Sequence, residues 1–518
     1  MKAGNRIVLN TGVMYGRMLV TMVVTLLSSR WVLLALGKED FGIYNLVAGL
    51  LSMLMFLNLT MATASQRFLS YALGQGDKQQ IKDTFYYSCV LHFIIGCIIV
   101  FCVEVVGQIM LHTVLIVPEG KLWLAVFCLH CLSISTFFTV ISVPYNAALI
   151  AHENIVFVAI IQISEAFLKL ILAVFLLHYW GNRLQLYAIC MAAIPSLSVI
   201  IYRFYCHKHY KETHIGKIRR ITNSALFKKF TAYAGWNMIG SISSLLRTQG
   251  VSILLNSFYG VIINAAYGIA TQVKGQMSHF SSAIVTAARP QIVKSEGAGN
   301  RARTLSLSAS TCKFTFLLLS MLAVPLIIEM PYVLTLWLKN VPEYTINFTR
   351  LIIIQNVIFQ IAIGVSIPIE SVGNIKMLQI MVGGLHFIVL PIGYVMLRLG
   401  MSPDSIFVMI ILEECIAIVL RLFISHRVAG LDIMDFLKKT IIPSVLTVGG
   451  LALLCYGVSL PLHEGWGRLL LLSTLSIGYM VIIAYRFTLT NSEKVKVQGF
   501  FNTFSNKIRY GNKGLLDK

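Results

Sequence analysis

Three basic residues lie where the chain is otherwise apolar: Arg17, Arg247 and Lys274. An ammonium or guanidinium in the hydrocarbon region costs at least about 2.5–3.5 kcal/mol on insertion scales, so each needs a reason to be there. Low-dielectric walls strengthen attraction for an anion, and a guanidinium fork matches phosphate oxygens. Acids occur in the same surroundings. Glu413 and Glu414 lie mid-way along a hydrophobic stretch at 404–426, and Glu165 lies four residues before Lys169 in another at 155–178. A carboxylate at that depth can bind a proton or Na⁺, which makes Glu413, Glu414 and Glu165 coupling candidates. The simpler readings stay open. Arg247 could pair with Glu413 or Glu414, Arg17 could reach lipid headgroups, and Glu165 could pair with Lys169 along its helix.

These charges sit on polar stripes. On the first apolar stretch Asn10, Arg17, Thr21 and Ser28 are spaced by seven, four and seven residues. At 100° per residue they share an arc of about 40°. Arg30 falls about 220° away from Arg17 and near the stretch's far end, where snorkelling suits it. A second stripe holds Tyr267, Thr271, Lys274, Ser278 and Ser281; a third holds Asn237, Ser241, Ser244 and Thr248, with Arg247 at its edge.

The elements that carry the stripes must be membrane helices. Of 518 residues 57% are hydrophobic and 12% charged, and the mean hydropathy is +0.78. Soluble domains carry roughly twice that charged fraction, so a folded chain of this kind in water would lack a polar coat. Apolar windows separated by polar breaks predict an all-α polytopic membrane protein with about 14 transmembrane helices. The first is expected over 8–35, the second over 43–66, the eighth over 261–288 and the twelfth over 404–426. The net charge of +21 points to an anionic membrane face or anionic ligand rather than nucleic acid. The ten cysteines lie mostly in apolar segments, as Cys89, Cys97, Cys102 and Cys128 do, without metal-ligand spacing. Scattered histidines make no metal motif and no P-loop lysine motif is present, so neither metal nor cofactor is expected.

Lys and Arg are retained on the cytoplasmic side. With the N-terminus inside, inner loops and tails collect about 30 of the 42 basic residues. Both termini are therefore expected in the cytoplasm. The longest internal polar run, 207–229, becomes a cytoplasmic basic linker between an N-terminal six-helix lobe (1–206) and a C-terminal one (230–428). An additional helix pair (429–487) and a basic amphipathic cytoplasmic tail (488–518) follow.

A shift of about 223 residues relates the two lobes. Gly37 and Tyr44 correspond to Gly260 and Tyr267. Arg67 followed by Gly74-Gln75-Gly76-Asp77 corresponds to Arg289 followed by Gly297-Ala298-Gly299-Asn300, and Ser142-Val143-Pro144 to Ser366-Ile367-Pro368. Six helices per unit is even, so the repeat is a parallel one, as in transporters whose halves rock about a central site.

The turn Arg30-Trp31…Leu36-Gly37-Lys38-Glu39-Asp40-Phe41-Gly42-Ile43-Tyr44, the AAYGIA run Ala265–Ala270 and the Arg…Gly-x-Gly loops resemble the polysaccharide and O-antigen flippases. That family belongs to the superfamily of multidrug extruders and lipid II flippases. The resemblance implies two six-helix lobes in a V, with helices 1, 2, 7 and 8 lining a cavity. The implied cargo is a polyprenyl-diphosphate-linked oligosaccharide, moved across the bacterial inner membrane by alternating access for surface polysaccharide or lipopolysaccharide synthesis. Membrane lipids and a glycan polymerase are the expected partners, and nucleic acid is not. A multidrug extruder or lipid II flippase is the nearest alternative. A membrane glycan polymerase, from a different class, would be expected to carry a large outer loop, and none is seen.

Overall fold

The structure is a computed structural model, and it describes residues 3–52, 55–113, 120–214, 224–491 and 493–494. Residues 215–223 of the expected linker, and the tail from 495 onward, lie outside the described residues. Every regular element among the described residues is helical.

In chain order these are α1 (Ala3–Ser52), α2 (Met55–Gln75), α3 (Lys78–Thr113), α4 (Leu122–Ala151), α5 (Ile155–His178), α6 (Arg183–His209), α7 (Ser224–Gly297) and α8 (Arg301–Ile328). There follow α9 (Met330–Leu338), α10 (Thr345–Val372), α11 (Lys376–Arg398), α12 (Asp404–Ala429), α13 (Ile433–Phe436), α14 (Ile442–Ser459) and α15 (Trp466–Tyr479). Eleven helical segments among the described residues are long and apolar enough to cross a membrane. The expected spans 261–288 and 404–426 are both helical yet too polar to count among the eleven. The expected span 43–66 includes residues 53 and 54, which lie outside the described residues.

Two helices are broken at the same point of the repeat. Gly37 interrupts α1 at φ 76°, ψ 173°, and Gly260 interrupts α7 at φ 78°, ψ −171°. Only glycine takes this backbone without steric cost, because a Cβ would clash. The turns that follow are matched too. Gly76 and Gly299 have φ of 76° and 75°. Asp77 then accepts hydrogen bonds from the Gln79 and Gln80 amides, while Asn300 accepts one from the Arg303 amide. Both are side-chain caps that satisfy otherwise orphaned N–H groups of the next helix.

The chain forms two compact units. One comprises Gly12–Met238 with Gly297–Gly299; the other comprises Met1–Thr11, Ile239–Glu296 and the chain from Asn300. We call them the first and second unit. The first has an apolar core in which Val47, Leu51, Cys128 and Leu129 meet Tyr44 and Tyr187, whose rings lie edge to face at 4.7 Å. The second has several smaller clusters, one of them centred on Tyr267, Phe348 and Phe407. In it α14 and α15 pack against α8. Lys313 of α8, 2% exposed, is held by Glu493 at 2.9 Å and by the Thr488 carbonyl at 3.1 Å. Large apolar side chains such as Phe101, Ile171, Val419 and Leu453 are exposed, as a lipid-facing surface requires.

Candidate functional site

The second unit holds the denser chemistry. The two arms of α7 on either side of Gly260 are tied by two bonds: Tyr267 donates to the Thr248 carbonyl at 3.2 Å, and Ser252 to Asn264 at 2.7 Å. Arg247 therefore sits on one arm and Lys274 on the other. They line one cavity of about 290 Å³ with Thr248, Tyr267, Thr271, Ser278 and Gln355.

Behind it lies a buried ionic network. Arg247 donates to Glu413 at 2.6 Å and is 3.8 Å from Glu414. Adjacent residues on a helix point about 100° apart, so the two glutamates of α12 reach different neighbours. Glu413 also meets His386 of α11 at 2.8 Å. Glu414, fully buried, meets Arg421 at 2.9 Å and accepts from Gln355 of α10 at 3.0 Å. Gln355 then accepts from Lys274 at 2.8 Å, so a continuous path of hydrogen bonds joins α7, α10, α11 and α12. Burying each ion costs several kcal/mol, and such pairing is what makes the cost bearable. Three cations, Arg247, Arg421 and Lys274, stand against two carboxylates, leaving one positive charge in excess before His386 is counted. Lys274 carries that excess: among the described residues it makes no ion pair, and its partner is a neutral amide.

The remaining expected residues are dispersed. Asn10 belongs to the second unit, whereas Arg17, Thr21 and Ser28 belong to the first, so the helix-one stripe does not act as one face. Arg17 donates to Gln162 of α5. The hydroxyls of Thr21, Ser28, Thr248, Ser278 and Ser281 each donate to a carbonyl of their own helix three or four residues back. Ser278 also lies 3.3 Å from Asn356. Asn237 reaches Thr63 at 3.5 Å within the first unit. Ser241 and Ser244 line neither cavity described here. The pair expected between Glu165 and Lys169 does not form among the described residues, because Glu165 accepts from Ser198 of α6 instead. Both residues line a separate cavity of about 430 Å³ in the first unit.

Sequence reasoning missed His386, Gln355 and Arg421. Arg421 had a signal, lying two turns after Glu414 on the same face; His386 and Gln355 enter only through packing of α10 and α11 on α12.

Residues 4–296, more than half of the sequence, match the polysaccharide biosynthesis protein family, and the chain belongs to that family. No curated protein matches the sequence. Among solved structures, the chain is similar to an outward-facing multidrug resistance MATE transporter of the MOP superfamily, with 14% identity, a TM-score of 0.67, and coverage of 85% of this chain and 98% of that one. A mutant of the Vibrio cholerae MATE transporter VcmN gives 16% identity, a TM-score of 0.67 and coverage of 83% and 98%. A MOP superfamily transporter from Pyrococcus furiosus gives 14%, 0.67, and 85% and 98%. The chain thus has the MATE fold, and its apolar helices make it a multi-pass membrane protein.

Proposed function

We propose that the protein transports a polyprenyl-diphosphate-linked oligosaccharide across the bacterial inner membrane by alternating access, for surface polysaccharide synthesis. The supporting observation is the cationic excess at Lys274, in a cavity whose other charges are already matched. A diphosphate supplies the missing anion, and an ammonium with an amide partner can exchange that partner for phosphate oxygens at little cost. Arg247, held by Glu413, acts less as a free anion ligand than as the anchor of the network. The Glu413–His386 contact offers a proton site beside it, through which a proton gradient could bias inward against outward states. The Pyrococcus furiosus protein is described as having a binding pocket of reversed polarity that suggests a different function; a cationic pocket here fits an anionic cargo rather than the cationic drugs of multidrug extruders.

Lys274→Met should abolish surface glycan while leaving the protein at normal abundance in the membrane, read by glycan gels and immunoblot. Normal surface glycan in that variant would remove Lys274, and with it the diphosphate anchor, from the mechanism.

A further inference from the structure

The cavity of the first unit has a different chemistry. It is lined by α2, α4, α5 and α6, with Asn58, Gln66, Asn146, Gln162, Glu165 and Tyr202 among its walls. At about 430 Å³ it falls within the roughly 300–1,000 Å³ of small-molecule pockets. Two of its amides are unfinished. Asn58 is 9% exposed, and its Oδ1 has no hydrogen-bond partner; the Nε2 of Gln66 has none either. Buried polar atoms are nearly always paired, so each such exception asks for a partner.

Other groups are half used. Gln162 spends its carbonyl oxygen on Arg17, which leaves its amide hydrogens to give. Glu165 takes one hydroxyl, from Ser198, and a carboxylate has acceptor positions beyond one. Ser135, Thr139 and Ser142 donate to backbone carbonyls, leaving their oxygens as acceptors. Donors and acceptors therefore alternate around one space. Lys169 and Glu165 cancel in charge, so the walls select neither anion nor cation.

We propose that this cavity is a carbohydrate subsite that takes one neutral pyranose ring. Each sugar hydroxyl is both donor and acceptor, so a ring of vicinal hydroxyls can satisfy amide oxygens and amide hydrogens together. An apolar guest would leave the Asn58 and Gln66 atoms unpaired, and sites built on buried polar groups reject such guests strongly. A diphosphate brings charge that the walls do not answer. The subsite rests on the oligosaccharide reading above, and it places sugar recognition in the first unit and anion recognition in the second.

The test uses the full chain in phosphatidylcholine nanodiscs, free of sugar-headed detergent. Saturation-transfer NMR is recorded with methyl glycosides of glucose, galactose and N-acetylglucosamine, with cyclohexanol as the ring lacking vicinal hydroxyls, and separately with inorganic pyrophosphate. At least one glycoside should bind, and its affinity should fall at least tenfold in Asn58→Leu and in Gln66→Leu but stay unchanged in Lys274→Met. Gln66, half-buried, carries the test should Asn58→Leu fail to fold. Absence of any glycoside signal, a signal unchanged in the Leu variants, or equal binding of cyclohexanol overturns the subsite. Pyrophosphate binding that needs Lys274, without glycoside binding, overturns the subsite and leaves the transport reading intact. Glycoside binding that needs Asn58 or Gln66, without pyrophosphate binding, upholds the subsite and removes the anionic anchor.

Discussion

The two units share a plan and have exchanged what they fill it with. At the repeat offset, Arg247, Lys274 and Gln355 of the second unit fall on Val24, Leu51 and Cys131 of the first. Those three are buried, Leu51 and Cys131 within the main apolar core of the first unit. Even the aromatic frame is kept: Tyr44 rests on Tyr187 in one, and Tyr267 on Phe407 with centroids 5.6 Å apart in the other. Toward the opposite helix ends the contrast reverses. Gln66 and Asn146 line the open cavity of the first unit, and their counterparts in the second are Arg289 and Glu370, an ion pair at 2.9 Å. Thr139, a cavity wall in the first unit, is matched by Ile363. A duplicated backbone therefore constrains where a cavity can open, and side chains decide which end does.

The comparison can be broken by moving charges between the units. Leu51→Lys puts the second unit's ammonium into the first unit's core without its amide partner. An unpaired buried charge costs several kcal/mol or more, so no folded protein should be recovered on size-exclusion chromatography. Arg247→Met comes next. It strips the cation from Glu413, and removal of one partner of a buried pair costs about 3–5 kcal/mol. Thermal unfolding in detergent should show a lower midpoint, and adding Glu413→Gln should restore part of it. The smallest effect is expected at Arg289. Its pair with Glu370 is partly exposed, so Arg289→Gln should cost about 1 kcal/mol or less. The double change to Gln and Asn should be closer to neutral, since it installs the amides that the first unit carries at those positions.

What was legible in the chain followed from local pattern. Apolar windows marked the helices, Gly37 and Gly260 marked breaks that a Cβ would forbid, and the stripes on either side of Gly260 placed Arg247 and Lys274 in one cavity. The pair of α12 glutamates pointed two ways because adjacent helical residues must. The partners were not legible. Whether Arg247 reached a ligand or Glu413 depended on which face of α12 packs toward α7, and periodicity cannot say which helix is a neighbour. Hydroxyl stripes misled for a related reason: a serine or threonine in a helix can satisfy itself on the carbonyl a turn back, as Thr21 and Ser28 do. Asn58 and Gln66 gave no pattern because their meaning lies in the bonds they lack.

The clasp between Lys313 and Glu493 sets a limit on how the gene can be trimmed. A stop codon placed before Glu493 would delete the counter-ion of an ammonium that is almost wholly enclosed, and the Ser310 hydroxyl that also reaches Glu493 at 2.8 Å would lose its acceptor. Such a truncation should yield a protein cleared by membrane proteases, whatever the tail beyond it does. Dissection of that tail by nonsense alleles has to begin after Lys494, and reporter fusions made upstream of it would report on folding quality rather than on topology.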